Sequence, residues 1–108
     1  MSRLPPLYIC TTTFAEREEA ERVARLLVSD GLVACAQIGS DLTSYYRWRG
    51  ELCRDTEIAV TLKICGQKLE ACLAKLRELH PYDTPQIVVW SADVVDPDYL
   101  RWACEESR

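Results

Sequence analysis

Residues 34–64 read ACAQIGSDLTSYYRWRGELCRDTEIAVTLKI, and the parsing of this stretch decides the fold. Near its end Ile58, Val60, Leu62 and Ile64 alternate with Glu57, Ala59, Thr61 and Lys63. That period of two marks a strand with one buried face. A first arm runs from Cys35 to Ile38 and on through Leu42 to Trp48, and a second from about Leu52 to Ile64. Arg49-Gly50 falls between them as a turn, where glycine takes positive φ without steric cost. Gly39-Ser40 interrupts the first arm at a place suited to a β-bulge. Arms of about fourteen residues reach roughly 45 Å. A compact body of this size is only about 35 Å across. The tip therefore overshoots, and it carries Tyr45, Tyr46 and Trp48, which are costly to leave wet as a group. Two arrangements answer this: pairing of the hairpin with another copy of the chain, or a curled hairpin covered by its own helices.

Outward from the hairpin, Leu7–Thr12 reads as a short strand. Thr13 and Glu16 have the spacing of a capping box for a helix whose stripe is Ala20, Val23, Ala24 and Leu27. Asp30-Gly31 ends it. Gly66-Gln67 opens a second helix with the stripe Leu69, Cys72, Leu73 and Leu76, stopped by Pro81. A loop from His80 to Pro85 leads into Gln86–Trp90, an apolar run expected to be a strand buried on both faces. Asp96-Pro97 starts a third helix, cap followed by proline. The order β-α-β-β-α-β-α predicts an α+β fold of the ferredoxin-like split βαβ type, with an antiparallel sheet and one extra C-terminal helix. One domain over 1–108 is expected.

Composition narrows the function. A net charge of −4, with Lys and Arg scattered, argues against nucleic acid as a partner. No apolar run approaches a membrane span, and the start has no apolar segment of signal-peptide length, so a cytoplasmic protein is expected. Six cysteines without CxxC spacing, and one histidine, do not make a four-ligand zinc site; most are expected to be reduced, buried thiols. There is no glycine-rich phosphate loop and no Gly-x-Ser-x-Gly, so no enzyme is expected. One constellation stands out: Cys10 near the end of the first strand and His80 at the end of the second helix. Thiolate and imidazole together suit a soft or borderline ion such as copper. The alternatives are a core cysteine, a histidine serving the helix C-terminus, and a Cys–His nucleophile pair lacking a third orienting group.

Four motifs in order extend this reading: Leu32-Val33-Ala34-Cys35-Ala36, Ser44-Tyr45-Tyr46-Arg47-Trp48-Arg49-Gly50, His80-Pro81-Tyr82-Asp83-Thr84-Pro85 and Asp98-Tyr99-Leu100-Arg101-Trp102. On these the chain resembles the CutA family of divalent-cation tolerance proteins over almost its whole length. The resemblance implies a homotrimer similar to the PII signalling proteins, with hairpins paired between subunits. It implies tolerance of copper or other divalent cations, with Cys10 and His80 as metal ligands. Members are sometimes labelled periplasmic. Two positions depart from the family pattern: Leu79 where some copper-binding members have a second histidine, and Gln86 where glutamate is common. A competing function is a signalling or scaffold trimer binding a small ligand or another protein in clefts lined by Trp48, Tyr82, Asp83, Thr84 and Gln86, with metal incidental.

Overall fold

The computed structural model describes residues 4–108. Its elements are β1 (Leu7–Phe14), α1 (Arg17–Ser29), β2 (Cys35–Trp48), β3 (Glu51–Cys65), α2 (Leu69–Leu79, entered through a 3-10 turn at Gly66–Lys68), β4 (Val88–Ser91) and α3 (Pro97–Glu106). The sheet order is β2-β3-β1-β4 with every pairing antiparallel. This is the expected α+β, ferredoxin-like split βαβ arrangement. Cys10, Thr12 and Phe14 of β1 stand opposite Leu62, Val60 and Ile58 of β3, so they share one face of the sheet. Helices α1 and α2 cover that face, and the core is Phe14, Val23, Leu27, Val60, Leu62, Ile64, Cys72 and Leu76 with their neighbours.

The hairpin forms as expected, and its details position the site. Its two-residue turn places both Arg49 (φ 52°) and Gly50 (φ 79°) in the left-handed region, the geometry whose twist matches the strands. Ile38 faces Val60 while Asp41 faces Ile58, so Gly39-Ser40 inserts one extra residue. Arg17 of α1 donates to the Gly39 carbonyl at 3.1 Å, holding the bulge. Because side chains alternate, one extra residue exchanges the faces of everything beyond it. Ala36 and Ile38 point to the helices, whereas Ser44, Tyr46 and Trp48 emerge on the opposite face, with Asp55 and Glu57. The extents, 54 × 26 × 23 Å, show how far the hairpin reaches beyond the body.

Two expectations are corrected. Thr13 does not cap α1: β1 continues through Phe14, with Thr13 paired to Ala59, and the N-cap is Glu16 with no side-chain cap bond. Ladder pairing outcompetes the local cap. The last strand is shorter and later than Gln86–Trp90, and it is not buried on both faces: Val88 is 51% and Trp90 46% exposed. It is an edge strand whose second face has no cover among the described residues. Most of the cysteines are free, as expected, with Cys10 and Cys72 buried and Cys35 and Cys53 half-buried, while Cys65 and Cys104 form a disulfide between the end of β3 and α3.

Two helix ends follow the sequence signals. Gly31 (φ 73°) donates to Val28 O and Leu32 donates to Leu27 O, a Schellman close to α1. Asp96 caps α3 by accepting from the Tyr99 amide at 3.1 Å.

Candidate functional site

Beside the hairpin lies an open cleft of about 680 Å³. Trp48, Tyr82, Asp83, Thr84 and Gln86, named from the sequence as cleft residues, all line it. So do Asp55, Glu57 and Tyr46, the last read from the sequence as a hairpin-tip aromatic and not as a cleft residue. Their signal was available in the i, i+2 spacing of Asp55 and Glu57 on one strand, with Tyr46 on the same face after the bulge. The lining contains three carboxylates (Asp55, Glu57, Asp83) and four aromatic rings, and no Lys, Arg or His.

Two phenols donate to two of the carboxylates. Tyr46 donates to Asp55, and Tyr82 donates to Glu57 at 3.0 Å. The hydrogen bond to Asp55 is the main cause that pushes the Tyr46 phenol up to about 12. For Tyr82, burial acts first and the Glu57 hydrogen bond second, again upward. Both phenols are therefore neutral donors at physiological pH. Three carboxylates on one concave wall attract cations, while Arg54 donates to the Tyr45 hydroxyl at 3.2 Å and Arg49 lies over the Trp48 ring at the same end.

Cys10 and His80 sit deeper, on the helix side of β1. Cys10 has no exposed surface, and burial pushes its thiol up to about 11. Making its thiolate at pH 7 then costs roughly 5 kcal/mol before any metal bond forms. Its electrostatic neighbour is Cys72, buried in the same core. His80 stacks on Phe14 (centroids 4.3 Å, planes 12° apart) and is 7% exposed. Its Nε2 is 2.9 Å from the Thr13 carbonyl and 3.0 Å from Thr12 Oγ1, while Nδ1 accepts from the Tyr82 amide at 3.2 Å. Both ring nitrogens are thus engaged. Among the described residues no group of three or more His, Cys, Asp or Glu is placed to hold a metal. As arranged, Cys10 and His80 do not fit copper: one donor is protonated, the other is spoken for, and no third completes a set. Gln86 reaches Thr11 Oγ1 at 3.4 Å.

These features define a class: a small ferredoxin-like α+β protein whose long β2–β3 hairpin and 80–86 loop enclose an acidic, aromatic cleft. The chain belongs to the CutA1 divalent ion tolerance protein family, whose sequence profile matches residues 8–106. It is 36% identical over 102 residues to the divalent-cation tolerance protein CutA of Pyrococcus horikoshii, covering 94% of this chain and 99% of that one. The Thermus thermophilus protein of the same name is 34% identical over 95 residues, covering 88% and 92%. Among solved structures, CutA1 from Ehrlichia chaffeensis superposes with a TM-score of 0.92 at 30% identity, over 99% of both chains. The periplasmic divalent cation tolerance protein CutA from Archaeoglobus fulgidus gives 0.89 at 27% identity, over 94% and 99%.

Proposed function

We propose that this protein serves divalent-cation tolerance as a non-catalytic binding protein, taking divalent cations, copper foremost, into the cleft beside its hairpin. The observation that carries this is the lining: Asp55, Glu57 and Asp83 with phenol and indole rings and no basic group. Carboxylate and phenol oxygens suit divalent ions, and Cu(II) is the tightest-bound of the first-row series at most donor sets. The names of the relatives point the same way.

The working form is a homotrimer in this reading. β2 is an edge strand with unpaired backbone groups, and Tyr45, Trp48, Leu52, Val88, Trp90 and Trp102 are exposed. An unprotected edge and apolar exposure on this scale call for sister copies.

Titration calorimetry with Cu(II) on wild type, on the double variant Asp55→Asn/Glu57→Gln and on Cys10→Ser tests the site. The double variant is expected to bind at least about tenfold more weakly, because carboxylate charge sets affinity at oxygen sites. Cys10→Ser is expected to bind as wild type does. The reverse pattern would return the metal to Cys10 and His80. A second reading has one observation in its favour: the cleft is far larger than an ion needs. In that reading it holds a small organic ligand in a signalling trimer, and such a ligand retained through purification would favour it.

A further inference from the structure

We propose that His80 is a positioning residue for the cleft: its neutral imidazole, with the proton on Nε2, ties the Tyr82 backbone to β1 and so sets the phenol that meets Glu57. The inference rests on the cleft being the working site and gives His80 a role other than metal ligation.

The tautomer follows from the partners. The Thr13 carbonyl can only accept, so Nε2, 2.9 Å away, must carry the proton. The Tyr82 amide can only donate, so Nδ1, 3.2 Å away, must be bare. The two contacts lie on opposite sides of the ring and demand the same neutral form. Stacking on Phe14 and the tilted Tyr82 ring at 4.9 Å leave the imidazole little rotation. The result is a continuous path: Thr13 O on β1, imidazole, Tyr82 N–H, then Tyr82 Oη to Glu57 on β3. Tyr82 is held at its backbone and at its hydroxyl, and the loop it starts supplies Asp83, Thr84 and Gln86 to the same wall. A metal or a proton placed on Nδ1 would face the Tyr82 N–H and displace it. Chemistry at His80 is thereby coupled to the shape of the cleft.

Two substitutions separate the two ring contacts. His80→Asn keeps a side-chain carbonyl near the Nδ1 position and keeps the acceptor for Tyr82. His80→Gln reaches the Nε2 position, keeps a donor for Thr13 and loses that acceptor. Ring 15N spectra of the wild type are expected to show the Nε2–H tautomer. The Tyr82 amide resonance is expected to shift in the Gln variant and to stay near wild type in the Asn variant. Cu(II) affinity is expected to fall about tenfold with either variant, the order of one lost hydrogen bond, because each cuts one end of the tie between Thr13 and Tyr82. A proton on Nδ1 in the wild type, a Tyr82 amide unmoved in the Gln variant, or Cu(II) affinity unchanged in both variants overturns the proposal. Absence of Cu(II) binding by the wild type would sink the cleft as a cation site, and the ring and amide spectra would still decide the role of His80.

Discussion

Removing the Cys65–Cys104 bond should cost the chain a large fraction of its stability. The bond joins residues 39 apart in sequence and closes a loop containing α2, β4 and most of α3. Loop-closure entropy for a ring of this length amounts to about 4 kcal/mol at 25 °C, removed from the unfolded ensemble. α3 also buries Ala103 fully, Ser107 turns its hydroxyl back to Ala103, and the backbone of Arg108 packs against Gly31. The perturbation is Cys104→Ser. Guanidinium unfolding of variant and wild type, at one protein concentration so that association enters both alike, reads the difference. With slopes near 4 kcal/mol per molar, the midpoint should fall by about 1 M. Thiol counting in denaturant without reductant should find the four free cysteines Cys10, Cys35, Cys53 and Cys72. Six reactive thiols, or an unmoved midpoint, would refute the reasoning.

The remaining thiols should separate by environment. Cys72, which burial pushes up to about 12, and Cys10 should resist alkylation at pH 8, while the half-buried Cys35 and Cys53 react; mass spectrometry after a brief pulse would show it. Acid should weaken the fold through His80, whose pKa is lowered from 6.5 chiefly by burial. A base depressed in the folded state contributes stability above its unfolded pKa and loses it as pH falls below about 6.5 toward the folded value. The drop in denaturation midpoint between pH 7 and pH 5 should therefore be smaller in His80→Asn than in wild type; an identical drop would contradict the neutral assignment.

Much of the fold was legible because its signals are periodic and local. The alternation of Ile58, Val60, Leu62 and Ile64, the Gly31 helix end and the Asp96-Pro97 start each fix one conformation by short-range chemistry. What failed depends on partners distant in sequence. Thr13 and Glu16 have the spacing of a cap, yet Ala59 claims Thr13 for the ladder, and nothing near Thr13 announces that. An apolar run such as Ile87-Val88-Val89-Trp90 cannot tell burial by the chain itself from an edge awaiting another surface. The cysteines read as mostly reduced thiols, and nothing near Cys65 announces that α3 brings Cys104 to it. The cleft was half visible. Its loop residues came from an unusual turn sequence, but Tyr46 joins Asp55 and Glu57 of β3 on the cleft face only because one bulge residue exchanges the faces of the first arm. The Cys10–His80 pair was read from residue type, and residue type does not reveal that the Thr13 carbonyl and the Tyr82 amide already occupy the imidazole.

Where a divalent ion settles decides between the cleft and the Cys10–His80 pair. Crystals soaked in Cu(II) and measured across the copper absorption edge locate it without reference to affinity or assay. An anomalous peak at coordinating distance from the carboxylates of Asp55 and Glu57 is the result predicted. A peak between Cys10 and His80, with none in the cleft, would contradict it.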